Sequence, residues 1–277
     1  MKPLRELSLS QARISRAQAN IKEFAQLLDA YLGSRPSRIR VDIDAQGLGA
    51  IRIERREPIP DQLSILLGEA LQNLRAGLDN CLYAVAIIDS GTNPPPGASQ
   101  LQWPIALSPK EWTANKKRLQ HLSPHLIEAL HRIQPFQAEN PGWNCLRILH
   151  DLARIDRHRA AHELAMRPEQ VNGTYDKDTI RDLKINDGPL NDDGIVVTFT
   201  RLGDDELTPR MLDLQFEFDI DVHDIEAAPH PVTGKPSRPW GSLDNRLKMI
   251  CIAVEDYAEG LVELARNPEL ARTESAG

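Results

Sequence analysis

The stretch "RIRVDIDAQGLGAIRIERR" (residues 38–56) decides the fold class, because apolar and charged residues alternate along it. A period of two is typical of a half-buried β-strand, and the glycines near the middle favour a turn. Folding the stretch about Gly47 opposes Val41 to Ile53, so apolar side chains meet across the two halves. The same folding places Asp42 opposite Arg52 and Arg40 opposite Glu54, so each charged residue faces one of opposite sign. The stretch therefore predicts a β-hairpin.

Helical patterns lie on both sides of this hairpin. Apolar residues recur with helical spacing over residues 4–32 and 58–91, and again over 140–167 and 242–267. Asn140 with Pro141 and Ser242 supply start signals for the last two helices. Short helices are predicted after Ser108 and Ser123. Because four long amphipathic faces must be buried together, we expect an antiparallel bundle of four long helices plus short helices.

A second strand-rich region is predicted between about residues 170 and 229. In "LDLQFEFDIDV" (212–222), apolar residues occupy one face, and Glu217, Asp219 and Asp221 occupy the other, which we expect to be solvated. The expected fold class is α+β, mainly α, with an inserted β-hairpin and an acidic antiparallel β region before the last helix. The expected organisation is a helical bundle over 1–168 with the hairpin insertion at 38–56, a β-rich insertion over 169–230, a C-terminal helix over 242–267 that completes the bundle, and a disordered tail over 268–277.

The charge of the chain is unevenly distributed. The net charge is −7, but residues 103–167 hold 10 Lys and Arg against 6 Asp and Glu, with six of the eight histidines. Residues 168–277 hold 11 against 23. An acidic protein binds nucleic acid poorly at long range, whereas a local basic segment can still bind a phosphate group.

The compartment is predicted from cysteines and hydropathy. Cys81, Cys145 and Cys251 are far apart and form no CxxC pair, which favours a reducing compartment. No apolar run is long enough to span a bilayer, and the N-terminus has no signal-peptide pattern. We expect a cytoplasmic protein without a membrane contact and without a cofactor.

The basic segment centres on "RILHDLARIDRHRAAHEL" (147–164), with four arginines and three histidines. On a helical wheel the leucines gather on one side and the cationic residues on the other. Asp156 lies within the apolar stripe, where a carboxylate needs a partner, and Arg75 is the partner we expect. The cationic face is either solvated, a metal site or a phosphate-binding surface.

A metal site is not predicted on this face. His158 and His162 are four residues apart, a spacing at which two imidazoles can hold one ion. However, Arg159 stands where an HExxH motif has its glutamate, and no further ligand is evident. Neighbouring arginines also repel a cation, so we expect no metal.

The spacing of Arg157 and His162, Arg-x4-His, resembles the signature of the HEPN superfamily, small helical bundles that include metal-independent endoribonucleases. In that family the two residues come from a late helix, and two protomers form one composite site. The resemblance implies that His162 is the acid/base, Arg157 the phosphate clamp and His158 a polar neighbour. Further arginines of the segment are expected to bind substrate, namely Arg147, Arg154 and Arg159.

A second resemblance covers most of the chain. "GEALQNLRAGLDNCLYAVA" and "ARIDRHRAAHEL" resemble two hallmark segments of an uncharacterised bacterial protein family, which carries no known activity. Gln72, Asn80 and Arg157 differ from its pattern. The matching positions are Glu69, Asn73, Arg75, Asp79, Asp156, His158 and Arg159. From these the expected structural polar residues are Glu69, Asn73, Arg75, Asp79 and Asp156.

Two functional hypotheses follow. The first is a HEPN-like, metal-independent endoribonuclease or RNA-binding protein of a defence or toxin type, acting as a homodimer. The second is a non-catalytic interaction or sensing module that binds a protein or a small ligand. The acidic net charge and the 5% aromatic content, which offers few rings for base stacking, favour the second. The cationic helix favours the first.

Overall fold

The structure, a computed structural model, describes residues 4–158, 162–186, 188–190, 194–203, 205–223 and 227–270, with the backbone alone for 155–158. Within these residues the chain is α+β, with six α-helices and eight strands in three sheets. The helices are α1 (Arg5–Gly33), α2 (Asp61–Ser90), α3 (Pro109–Lys116), α4 (Pro124–Arg132), α5 (Cys145–His158) and α6 (Leu243–Arg266). The strands are β1 (Ser37–Ile43), β2 (Leu48–Arg55), β3 (Leu164–Tyr175), β4 (Ile180–Ile185), β5 (Ile195–Arg201), β6 (Leu212–Val222), β7 (Ala228–Pro229) and β8 (Pro236–Ser237).

The predicted bundle of four long helices is wrong. Helices α1, α2 and α6 have 29, 30 and 24 residues, but α5 has only 14. The residues expected to continue α5 form β3, which pairs antiparallel with β6 along its length. Pairing with β6 explains the change, because it gives these residues the hydrogen-bonded partner of a strand. Pro168 follows the expected helix and does not determine where α5 ends. In β3 it lies beside a register shift between Pro168 and Gln170, where a proline is tolerated.

The hairpin forms as β1 and β2, but it belongs to a larger sheet and is not an insertion in a helical bundle. Strand β2 pairs with β5, and the four-stranded sheet has the order β1-β2-β5-β4. The register pairs Val41 with Ile51, two residues from the expected pairing. The side chain of Asp44 closes the turn early, because its Oδ1 accepts the N–H groups of Gln46 and Leu48, both at 2.9 Å. A shift of two residues leaves every side chain on its expected face.

The expected solvated acidic face of β6 is also wrong in part. Glu217 is exposed, but Asp219 and Asp221 are buried. Asp221 Oδ2 lies 3.8 Å from Arg167 Nη1, and Asp221 Oδ1 accepts the N–H of Val222 at 2.9 Å. A buried carboxylate needs such partners.

The chain divides into two compact units, Met1–Phe24 with Ile65–Ala161 and Glu226–Gly277, and Ala25–Ser64 with His162–Ile225. The first is mainly helical, and its core contains Phe24, Leu74, Leu78, Leu126, Leu149 and Ile250. The second contains the two larger sheets, and its core contains Ile51, Ile53, Met166, Val197 and Phe199. No helix within the described ranges has the length and hydropathy to cross a bilayer. Of the predicted tail, everything after Leu270 lies outside the described residues.

Candidate functional site

The expected catalytic residues do not lie together on one helix. Arg157 and His158 are in the last turn of α5, where their side chains lie outside the described residues. The side chain of Asp156 also lies outside the described residues, so its expected pairing with Arg75 stays a prediction. Arg159 lies outside the described residues altogether. His162 lies after α5, two residues before the first residue of β3.

His162 is buried, with only 2% of its surface exposed. Its backbone carbonyl accepts the hydroxyl of Ser64 at 2.8 Å, which fixes the start of β3. A general acid or base must come within hydrogen-bond distance of the substrate proton that it transfers. The burial of His162 therefore favours another residue for proton transfer to a dissolved substrate.

Four of the expected structural polar residues lie on α2. Glu69 and Asn73 connect α2 to α1. Asn20 Nδ2 donates to Glu69 Oε2 at 3.1 Å, and Arg13 Nη1 donates to Asn73 Oδ1 at 3.0 Å. These bonds bridge residues about 50 to 60 positions apart, so they hold the two long helices in register.

Arg75 and Asp79, one turn apart on α2, bind the backbone of a single residue. Asp79 Oδ1 accepts the N–H of Trp103 at 2.8 Å, and Arg75 Nη2 donates to the Trp103 carbonyl at 3.4 Å. Arg75 is only 7% exposed. The spacing of four residues puts both side chains on one helix face, which is why both can reach the backbone of the same residue.

Gln134 fixes the rest of this extended segment. Its fully buried side chain accepts the N–H of Ala106 at 2.8 Å, and donates to the carbonyls of Pro104 at 3.3 Å and Leu130 at 2.7 Å. The segment 103–106 is thereby tied to both α2 and α4. It forms a rigid wall beside α5.

Helix α3 begins next to this wall, after Ser108 as predicted, with a start that resembles a capping box. Ser108 Oγ accepts the N–H of Glu111 at 3.3 Å, and Glu111 Oε2 accepts the N–H of Leu107 at 2.7 Å. This arrangement fixes one carboxylate oxygen of Glu111. Asn115 lies four residues later, on the same face of α3.

An open cleft of about 360 Å³ lies between the wall, α3 and α5. We call it the His150 cleft, and it is lined by Ile105, Leu107, Glu111, Ala114, Asn115, His150, Asp151 and Arg154. A smaller cavity of about 150 Å³ shares Ile105, Asn115 and His150 with it and adds Arg75 and Arg118. All of these residues belong to the first unit. The cleft and the smaller cavity together thus place three arginines, Arg75, Arg118 and Arg154, around His150.

His150 has an unusual electrostatic environment. Burial lowers its pKa below the ordinary histidine value, and the positive charges of Arg75 and Arg154 lower it further, against the opposing effect of Asp151 and Glu111. A lowered pKa leaves the imidazole neutral near pH 7, the form that can accept a proton. Within the described part of the chain, neither nitrogen of His150 has a hydrogen-bond partner that would block it.

Two of the expected substrate-binding arginines, Arg147 and Arg154, differ in their surroundings from each other and from Arg118, which the sequence did not indicate. Arg154 is exposed at the edge of the cleft and forms no ion pair with any described residue. Arg147 lies two turns before it, with its Nε 3.6 Å from Asp151 Oδ2. Arg118 Nη1 donates to Gln102 Oε1 at 3.1 Å. Arg154 is therefore the most available of the three for an anion.

His150, Glu111 and Asn115 line the cleft but were not predicted from the sequence as site residues. One signal was present, because His150 lies three residues after Arg147 and four before Arg154, on one side of α5. Over the described ranges, no group of three or more His, Cys, Asp or Glu residues is placed to hold a metal ion. Comparisons of the chain with protein-family models, with curated proteins and with solved structures gave no match.

Proposed function

We propose that the protein binds single-stranded RNA at the His150 cleft and cleaves it by a transesterification that needs no metal ion. The observation that carries the proposal is a half-buried histidine in an open cleft beside Arg154, with Arg75 and Arg118 in the smaller cavity that shares His150. The lowered pKa of His150 supports it. Positive charge in a concave, partly desolvated site attracts phosphate groups.

The chemistry uses groups of this chain alone. His150 takes the proton of a 2′-hydroxyl, the 2′-oxygen bonds to phosphorus, and the bond from phosphorus to the 5′-oxygen breaks. The departing 5′-oxygen takes a proton from water, so the products are a 2′,3′-cyclic phosphate and a 5′-hydroxyl. Arg154 and Arg118 stabilise the negative charge on the phosphoryl oxygens during this step.

The experiment is incubation of the purified protein with end-labelled single-stranded RNAs in EDTA, with analysis of the product ends. We expect cyclic phosphate products, and a loss of roughly 10²-fold or more in rate for His150→Gln. His121→Gln changes an exposed histidine of the same unit that does not line the cleft, and it should keep the wild-type rate. Cleavage that His150→Gln leaves intact contradicts the proposal.

A further variant separates this site from the one that the HEPN resemblance implies. His162→Gln, compared at equal thermal stability, tests the Arg157–His162 motif directly. If His162→Gln removes cleavage and His150→Gln does not, the catalytic group belongs to that motif. The homodimer that the resemblance implies is a separate proposal, which sedimentation of the purified protein tests.

A further inference from the structure

A groove of about 640 Å³ runs between α1 and α6 in the first unit, away from the residues of the His150 cleft. Helix α2 forms its floor at Cys81, whose Sγ donates to the carbonyl of Ala258 at 3.4 Å. Leu7, Ile14 and Val262 provide further apolar surface along the groove. A volume of this size lies within the range of ligand-binding pockets in proteins.

The groove has a defined length and one closed end. Gln18 Nε2 donates to Glu255 Oε2 at 3.3 Å, which bridges α1 to α6 at that end. The lining residues on this side extend from Glu255 of α6 to Asn267, which caps the end of that helix. At 1.5 Å per residue this corresponds to about 18 Å, the length of a helix of roughly three turns.

The wall that α6 contributes is acidic. Glu255, Glu259 and Glu263 are four residues apart and therefore lie on one face of the helix, along the groove. Arg266 is the one basic residue among the lining residues. An apolar floor beside a row of carboxylates is complementary to a segment that carries apolar side chains next to a row of basic ones.

Two other occupants fit this surface poorly. A second copy of the chain would place the same three glutamates opposite each other in a symmetric contact, and like charges repel. The residues of this sequence beyond Leu270, "ARTESAG", contain no large apolar side chain to cover the floor. Residues 1–3 contain one, Met1, but they are too few to extend along 18 Å.

We propose that this groove binds a basic amphipathic helix of a partner protein. Its basic side chains recur every four residues and face Glu255, Glu259 and Glu263, and its apolar side chains contact Leu7 and Val262. This gives the protein an interaction surface that is independent of the proposed RNA chemistry.

The test uses a designed probe, a fluorescent 14-residue helical peptide with leucines on one face and lysines at every fourth position beside them. A matched peptide carries glutamates in place of the lysines. Fluorescence anisotropy should show saturable binding of the lysine peptide to the full chain, and binding of the glutamate peptide that is weaker by roughly tenfold or more. Absence of saturable binding overturns the proposal.

Variants locate the binding surface. Glu259→Lys should weaken binding of the lysine peptide by roughly tenfold, because it reverses a charge in the middle of the acidic row. Ser15→Trp fills the groove from the exposed side of α1 and should also remove binding. Asp256→Lys makes the same charge change on an exposed residue outside the groove and should bind normally. Equal loss in Asp256→Lys, or self-association of the chain that Ser15→Trp abolishes, contradicts the proposal.

Discussion

At the scale of single residues, Gln134 does most to hold the wall of the His150 cleft. Gln134→Leu keeps a similar volume but removes three hydrogen bonds and leaves the buried Ala106 N–H without its partner. We expect a loss of about 2–4 kcal/mol in the free energy of unfolding, measured by urea denaturation. Gln137→Leu, at an exposed position, should change it by less than about 0.5 kcal/mol. Equal effects would show that the buried amide contributes nothing specific.

The lowered pKa of His150 predicts how anion binding depends on pH. A bound phosphodiester favours the imidazolium form and raises the pKa of His150, so affinity should increase as pH falls from about 7 to 5. A deoxyoligonucleotide is the appropriate ligand, because it has no 2′-hydroxyl and its phosphodiesters keep their charge in this range. Titrations by fluorescence anisotropy should show the increase for the wild type and a smaller one for His150→Gln. The same slope in both proteins would exclude His150 as the titrating group.

In the absence of a ligand, the lowered pKa of His150 makes the folded protein less stable as pH falls, whereas it makes anion binding stronger. Because the folded state binds a proton on His150 less readily than the unfolded state, stability falls as pH drops below the ordinary histidine pKa, and this contribution vanishes above about pH 7. His150→Gln should therefore lose less stability than the wild type over that interval.

The three cysteines should be unreactive in the folded protein. Burial raises the pKa of Cys81 to about 12, and that of Cys145 and Cys251 to about 11. Since the thiolate is the reactive form, a disulfide reagent at pH 8 should label fewer than one thiol per native chain and all three in guanidinium. Rapid labelling of the native protein would contradict the burial of these residues.

At the scale of elements, the contact between α1 and α2 depends on Gly77. A Cβ atom at this position would lie 3.0 Å from Ile14 Cγ1, and Ser10 Oγ already donates to the Gly77 carbonyl at 2.8 Å. Gly77→Val should cost about 1–3 kcal/mol in unfolding free energy through overpacking, measured by denaturant unfolding. Gly260→Ala, on α6 with open space around it, should stabilise by about 0.5–1 kcal/mol. If both changes stabilise, the helices do not pack as closely as described.

The elements were predictable where a local pattern decides them. The alternation in residues 38–56 predicts the hairpin, but the side chain of Asp44 moves its register by two residues. The end of α5 could not be predicted from the helical wheel of residues 147–164. The strand β3 is stabilised by pairing with β6, which lies about 50 residues later in the chain. The burial of Asp221 depends on Arg167 in the same way. Long-range pairing decides these cases, and a local pattern does not contain it.

The candidate site was predictable only as a region. The excess of cationic residues over 147–164 points to α5, and Arg154 does line the cleft. His150 gains its environment from Arg75 and Glu111, which lie 75 and 39 residues earlier in the chain. No spacing motif connects residues that far apart, so the tertiary fold had to bring them together.

At the scale of the whole molecule, the net charge of −7 opposes RNA binding, and a few arginines in the cleft must overcome it. Binding should therefore be weak and sensitive to salt. With two to three phosphate contacts, a plot of log affinity against log salt concentration should have a slope of about −2 for single-stranded RNA, measured by anisotropy between 50 and 200 mM. Arg154→Gln should reduce the slope by about 0.7, and an unchanged slope would remove Arg154 from the interface.

The pairing of β2 with β5 has a consequence for synthesis on the ribosome. Arg55, the last residue of β2, is synthesised about 140 residues before Ile195, the first residue of β5. At typical elongation rates, roughly 7–28 s pass before β5 is available to pair with β2. During that interval one edge of β2 has unpaired backbone groups next to the apolar side chains of Ile51 and Ile53. We therefore expect this edge of the nascent chain to be exposed to aggregation until β5 has been translated.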